Sequence, residues 1–306
     1  MRLTYAGSRE TGKSAQTILR LCLKTGVSRV KIIQITDTHF SPSKPHFNGN
    51  WAPLLAWIEA EKPDLIIHTG DLCVDGADHA EDIAFSLELM RQASAPMLIV
   101  PGNHDIGHLP GSHQPVTQTR LDRWNGLVGS DRFIRDIDGW RLIGFNSLLL
   151  GMGDEHETEQ LDWLVQAMAD AGGRRIALFT HKPIFVDEPH EGDTGYWSIR
   201  PAPRGRLYEL MQRHDVGLVA TGHLHWAWKG AFNKTSLVWG PSAAFIIDTL
   251  EREMPGERLI GAVIHTFDGD TVASEIIAVP GMTTYVIDDV IDEVYPKPAM
   301  PGEAAE

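Results

Sequence analysis

The feature that most constrains this chain is a rhythm of short apolar runs, at residues 30–35, 65–67, 97–100, 141–145, 176–179 and 216–220, each closed by polar punctuation. Short runs rich in Val and Ile read as strands buried on both faces, because a strand with one wet face alternates apolar and polar side chains. Between them, residues 51–61, 80–91, 157–171 and 205–214 have helical spacing, and Thr158 is the candidate N-cap of the third. Strands alternating with helices predict a layered α/β core. Beyond about Trp228 the pattern changes to strand and turn, with strands expected at 236–239, 243–247, 259–267 and 272–279 and a hairpin turn at Asp268-Gly269-Asp270. These late strands are expected to supply a second sheet packed on the first.

Five short motifs follow in order, each just after an apolar run: Asp37-Thr38-His39, Gly70-Asp71, Gly102-Asn103-His104-Asp105, His181, and Gly222-His223-Leu224-His225. Ligands of open α/β sheets bind beyond the carboxyl ends of the strands, so five such loops are expected to converge on one pocket. Carboxylates and imidazoles together suit divalent transition ions without selecting among them. A carboxylate has lone pairs on both oxygens and can bridge two cations. Two ions about 3.5–4 Å apart clamp a phosphate and acidify a bound water. Glycines before Asp71, Asn103 and His223 let tight loops come close to such ions. Singly the motifs are ordinary, since Gly-Asp is usually a turn and most of the 14 histidines must have surface or core roles. Their joint order points to a two-metal site.

That order resembles the signature of the calcineurin-like metallophosphoesterase superfamily: D-x-H, G-D, G-N-H-D/E, H and G-H-x-H. The resemblance covers roughly Val30 to His225, with a sandwich continuation to about Val279, and is similar to the bacterial cyclic-nucleotide and glycerophosphodiester phosphodiesterase branch. It implies a four-layer αββα sandwich of two mixed β-sheets flanked by helices over residues 30–285. A basic arm (1–29) precedes it, and an acidic, Pro-rich tail (286–306), frayed from Tyr295, follows. Carried over by motif, Asp37, His39 and His225 bind a first metal and Asn103, His181 and His223 a second, with Asp71 bridging both. The ions implied are two divalent or transition metals such as Mn, Fe, Zn or Co. A hydroxide held between them would attack phosphorus in line with the leaving oxygen. His104 would stabilise the developing charge or protonate the leaving group, and Asp105 would orient His104 through its ring nitrogen.

Charge narrows the substrate. The net charge is −14, but residues 1–31 hold seven basic residues against one acid, which leaves 20 basic and 40 acidic residues beyond them. So acidic a body argues against a nucleic-acid polymer, whose phosphates need Lys and Arg. Bound cations would attract a small anionic phosphoester instead. Few basic residues lie near the motifs, which favours a diester such as a cyclic nucleotide or glycerophosphodiester over a dianionic monoester. A phosphomonoesterase or pyrophosphatase-like hydrolase is the alternative within the superfamily, and a metal-free binding scaffold the alternative outside it. No run approaches the roughly 18 apolar residues of a membrane span. Two cysteines, Cys22 and Cys73, make no disulfide framework, so a cytoplasmic setting is expected. A homo-oligomer stays open.

Other features receive plainer readings. Gly7-Ser8-Arg9-Glu10-Thr11-Gly12-Lys13-Ser14 matches the phosphate-binding G-x-x-x-x-G-K-S pattern, but too few residues precede it to form a strand, and the next strand ends in Asp37 of the metal motif. Lys182 reads as a solvated lysine, and His108 and His113 as loop surface. Residues 187–204 read as a pocket wall or lid. Trp226 and Trp228 either shape an apolar pocket or belong to the core.

Overall fold

The computed structural model describes residues 29–249 and 252–296; nearly all of the basic arm, including the glycine-rich motif at 7–14, and residues 297–306 lie outside them. All six apolar runs are strands. The first half contains β1 (Val30–Ile35), α1 (Trp51–Glu61), β2 (Leu65–His68), α2 (Ala80–Met90), β3 (Met97–Ile99), the short α3 (Asn103–Ile106) and α4 (Gln118–Leu127). Next come β4 (Phe133–Ile137), β5 (Trp140–Gly144), α5 (Glu155–Ala169), β6 (Arg175–Phe179), α6 (Pro201–Arg213) and β7 (Val216–Thr221). The chain closes with β8 (Trp228–Phe232), β9 (Thr235–Trp239), β10 (Phe245–Ile246), β11 (Gly261–Asp268), β12 (Thr271–Ala278), β13 (Tyr285–Val286) and α7 (Ile291–Val294).

The six runs do not share one sheet. The first three sit in a five-stranded sheet ordered β12-β11-β1-β2-β3, and the last three in a six-stranded sheet ordered β4-β5-β6-β7-β9-β8. The late strands, expected to form a second sheet by themselves, are instead divided between the two, except for β10, which pairs apart from both with β13. β11 adds antiparallel to β1 and β12 antiparallel to β11, while β9 adds parallel to β7 and β8 antiparallel to β9. The physical reason is edge pairing: β1 and β7 each end a parallel run, and a bare strand edge leaves a row of unpaired N–H and C=O groups.

Packing explains the unbroken apolar runs. Ile32, Leu65 and Ile67 of the first sheet meet Leu142, Ala177, Phe179 and Leu218 of the second in one dry layer. The intervening Ile33, Ile35 and Ile66 point the other way, against Leu54 and Ile58 of α1 and Ile83 of α2. Ile143, Ile176, Leu178 and Val219 pack similarly with Leu164 of α5 and Leu207 of α6. The central strands β1, β2, β6 and β7 are covered on both faces, giving four layers in the order αββα. A fully buried Ile contributes about 1.5–3 kcal/mol here. Within the dry layer lies a polar group: Gln34 donates to Thr69 Oγ1 and to the Thr221 carbonyl at 3.0 Å, and accepts from His265 Nε2 at 3.0 Å. His265 Nδ1 then accepts from the Ser274 hydroxyl at 2.8 Å.

Two local expectations are corrected. The cap of α5 is Asp154, whose carboxylate accepts from the Glu157 amide at 3.2 Å; Thr158 lies one turn inside the helix and donates to the Asp154 carbonyl. Residues 286–296 are not a peripheral tail. β13 pairs in parallel with β10, Val294 is fully buried beside Phe47, Val74, Phe245 and Ile287, and Lys44 Nζ donates to the Val294 carbonyl at 2.7 Å. The apolar residues Ile287 and Val294, spaced through an acidic stretch, turn this segment into a strap folded back on the core.

Candidate metal centre

Loops after β1, β2 and β3 come from one sheet and those after β6 and β7 from the other, so the motifs meet at the carboxyl ends of both. Five residues, Asp37, His39, Asp71, His223 and His225, have φ between 44° and 73°. They make up most of the seven non-glycine residues with positive φ among the described residues. Each such conformation costs about 1–3 kcal/mol and persists only where the surroundings hold it, a pattern that marks functional sites. Cross-loop bonds do the holding: the Asp37 amide donates to the Gly70 carbonyl at 2.9 Å, His39 to Asp71 at 3.2 Å and Gly222 to His181 at 3.0 Å. The loops also approach too closely for a side chain at the three motif glycines Gly70, Gly102 and Gly222. A Cβ on Gly102 would collide with the Asp71 carboxylate, and one on Gly222 with the Thr36 hydroxyl and the Asp37 carboxylate.

Three sets of side chains each offer ligand atoms within 4.8 Å of one another: Asp37, His39 and His225; His39, Asp71 and His104; Asp71, His181 and His223. Asp71 Oδ2 joins the two sides, 3.2 Å from His181 Nε2 and 3.9 Å from His39 Nε2. Asn103 Oδ1 comes to 3.1 Å from His181 Nε2. All nine predicted site residues are thus drawn into one place except for the side chain of Asp105.

The outer ring nitrogens settle which inner nitrogens carry lone pairs. His181 Nδ1 meets the Thr69 carbonyl at 2.8 Å, His223 Nε2 the Tyr196 carbonyl at 2.9 Å, His225 Nδ1 the Phe245 carbonyl at 2.9 Å and His104 Nδ1 the Val74 carbonyl at 2.9 Å. A carbonyl can only accept, so each of these nitrogens carries a hydrogen, and the neutral ring presents a bare nitrogen on its other side. The inner nitrogens of these rings then face neighbouring imidazole nitrogens across short gaps. His181 Nε2 and His223 Nδ1 are 3.1 Å apart, and His39 Nε2 and His225 Nε2 are 3.2 Å apart. Imidazole nitrogens at such distances need a proton or a cation between or beside them, and N/O donor sets of this kind suit divalent transition ions. The residues present therefore fit a pair of metals.

Electrostatics agree. Burial, reinforced by neighbouring imidazoles, holds His39 and His223 well below the ordinary histidine value. Burial opposes charge on His181, but the Asp71 carboxylate outweighs it and raises the ring to about 9, so in the absence of a metal a proton on Nε2 supplies the positive charge that a cation would bring. Burial also opposes ionisation of Asp71, yet His181 and His104 keep it well below the usual carboxylate range. Such a field favours positive charge beside Asp71.

Several expectations change. Asp105 does not touch the His104 ring. Its Oδ1 accepts from the amides of Leu72 and Cys73 at 2.9 and 3.3 Å, and its Oδ2 from Gly102 at 2.8 Å. It knits the Asp71 and Asn103 loops together, because a fully buried carboxylate takes the nearest unpaired amides; burial, with Asp71 nearby, raises it to about 7. Lys182 is buried rather than solvated, with Nζ 3.1 Å from His108 Nε2 and 3.3 Å from the Gly195 carbonyl. His108 is likewise buried and stacks on Tyr196 at 4.9 Å, whereas His113 is exposed. Residues 187–199 do form a wall: the Tyr196 hydroxyl accepts from Asn103 Nδ2 at 3.1 Å, and its ring lies 4.6 Å from that of His223. Trp226 packs with Val186, Leu224 and Trp239 as core. Phe245 and Tyr295 carry no motif signal, and nothing in the sequence placed either at the site. Phe245 stacks near His39 and His225 at 4.9 and 4.2 Å, and the Tyr295 hydroxyl is 2.8 Å from His39 Nδ1. A cleft of about 580 Å³ opens beside the centre between His104, His113, Lys44 and Tyr295.

Comparison with known proteins bears on this arrangement. The family model of calcineurin-like phosphoesterases matches residues 30–227. The 3',5'-cyclic adenosine monophosphate phosphodiesterase CpdA of Escherichia coli K12 is 32% identical over 176 residues, 54% of this chain and 59% of that one. A probable cyclic nucleotide phosphodiesterase of Synechococcus is 25% identical over 230 residues, 72% of this chain and 84% of that one. In fold, the purple acid phosphatase PPD1 of Lupinus luteus superposes with a TM-score of 0.59 at 16% identity, over 85% of this chain and 53% of that one. With its imidazoles and carboxylates gathered inside the matched span, the chain belongs to the calcineurin-like phosphoesterase family.

Proposed function

We propose that the chain hydrolyses a small phosphodiester, of cyclic-nucleotide or glycerophosphodiester type, with two divalent metals. The imidazole nitrogens that close on one another on either side of the Asp71 carboxylate carry this reading. Asp37, His39 and His225 would hold one ion, Asn103, His181 and His223 the other, with Asp71 shared. Bound there, such ions neutralise phosphate charge and lower the pKa of water. The chain's own residues do the rest. His104 is fixed by its Nδ1–H bond to the Val74 carbonyl and keeps Nε2 for the leaving oxygen; entering the step as the imidazolium, it would deliver the Nε2 proton and be left as the neutral ring. Asp71 Oδ1 anchors the His104 amide at 2.8 Å, which ties the acid to the metal side. Asp105 sets the two loops without touching substrate.

The diester preference rests on cations. A dianionic monoester calls for an extra positive group, yet Lys182 is turned toward His108 and Gly195, and Lys44 in the cleft wall is occupied by the Val294 carbonyl. The naming of CpdA as a cyclic AMP phosphodiesterase points the same way for a relative.

The test is hydrolysis of bis-p-nitrophenyl phosphate against p-nitrophenyl phosphate by metal-stripped protein resupplied with Mn, Zn, Fe or Co, with Asn103→Ala alongside. Metal-dependent cleavage that favours the diester, and is lost in the variant, is expected. Faster monoester cleavage makes the chain a phosphatase, and no cleavage with no metal bound makes it a scaffold.

A further inference from the structure

His181, His223, His225 and His104 each rest an outer ring nitrogen on a backbone carbonyl. His39 differs, because its Nδ1 meets a side chain, the Tyr295 hydroxyl, at 2.8 Å. Its Nε2 is the nitrogen that faces His225 and Asp71. For that nitrogen to be bare, the ring hydrogen must sit on Nδ1 and be accepted by the Tyr295 oxygen. The tyrosine arrives from the strap, which is anchored by the fully buried Val294 and by the β10–β13 pair. β10 also contains Phe245, whose carbonyl accepts from His225 Nδ1. The strap and β10 thus back the Asp37, His39 and His225 side together, and both lie beyond the span matched by the family model.

Building on the two-metal reading, we propose that Tyr295 is a positioning residue that holds His39 in the tautomer and rotation needed to bind the first metal. Removing its oxygen leaves the ring stacked on His104, 4.8 Å away, but frees His39 to rotate or to move its hydrogen to Nε2. Losing a partner of this sort to a metal-binding histidine typically costs about 10–100-fold in metal affinity.

The experiment is a Mn²⁺ titration of the metal-stripped full chain, wild type against Tyr295→Phe. Metal content and electron paramagnetic resonance distinguish a coupled pair from an isolated ion. Wild type should bind two equivalents and show the coupled signal. Tyr295→Phe should bind one equivalent with wild-type affinity and the other about 10–100-fold more weakly, with the isolated-ion signal at intermediate Mn²⁺. Melting of the metal-free protein should be unchanged, which a merely structural role would not leave so. In a His39→Ala background the same substitution should have no further effect. Two wild-type affinities in Tyr295→Phe, or equal weakening of both equivalents, overturn the inference and leave the two-metal reading intact. A wild type that binds no manganese overturns that reading and the inference with it.

Discussion

Around Asp37, His39 and His225, the outer ring nitrogens rest on the last quarter of the chain, on the Phe245 carbonyl and the Tyr295 hydroxyl. Around Asn103, His181 and His223, they rest on the carbonyls of Thr69 and Tyr196. Thr69 is backed by Gln34 and His265 in the layer between the sheets, while Tyr196 is held by Asn103 and stacks on His108, which Lys182 contacts. The second side is therefore built into the core, and the first is closed by a strap that arrives last in sequence. Backbone carbonyls survive substitution and a side-chain hydroxyl does not, so the two sides should respond differently to mutation, acid and loss of packing.

The largest effect should come from the residue the two sides share. Asp71→Ala is expected to lower kcat/KM for bis-p-nitrophenyl phosphate by about 10³-fold or more, roughly 4 kcal/mol of barrier, with both metal equivalents weakened. If one equivalent stays tight in metal analysis, the sides do not share Asp71 and the comparison loses its hinge.

Val294→Ala tests the strap. Truncating a fully buried apolar side chain should cost about 1–3 kcal/mol in urea unfolding of the metal-free protein and weaken the first side's metal more than the second's. Equal weakening would mean that the strap supports the whole centre.

Acid tests the core side. Burial lowers His265 to about 3 from its ordinary 6.5, so between those values the unfolded chain binds a proton that the folded chain does not. This contribution is complete above pH 6.5 and falls as the pH drops toward 3, with a slope of at most about 1.4 kcal/mol per pH unit. His265→Gln should flatten the decline seen in denaturant midpoints between pH 6 and 4.5, whatever its constant cost. An unchanged slope would take His265 out of the account.

Tyr196→Phe should be mildest. It removes the oxygen that accepts from Asn103 but keeps the carbonyl that holds His223, so a loss of tenfold or less in metal affinity is expected, in line with a net hydrogen bond of about 0.5–1.5 kcal/mol. A larger loss than that of Tyr295→Phe would reverse the order of the two sides.

Much of this molecule is legible in its sequence. The apolar runs mark the strands of both sheets because strands covered on both faces cannot alternate, and helices at 51–61 and 80–90 follow the predicted spacing nearly residue for residue. The missed β4 is an edge strand whose central residues are exposed, so it lacks the apolar signal. Glu157, two residues inside α5, hides its true start because Asp154 sits in a run of acids with no apolar contrast.

The residue types and order of the five motifs by themselves determined what the site is made of, carboxylates and imidazoles able to hold metal ions, because each motif lies directly after its strand. Tertiary structure alone decided how those groups are aimed. Which sheet receives each late strand, which carbonyl or hydroxyl fixes each ring, and that Asp105 serves the backbone rather than His104, depend on contacts between residues tens to hundreds of positions apart. Tyr295 and His39 are separated by 256 positions, and no local pattern near either one encodes the bond between them.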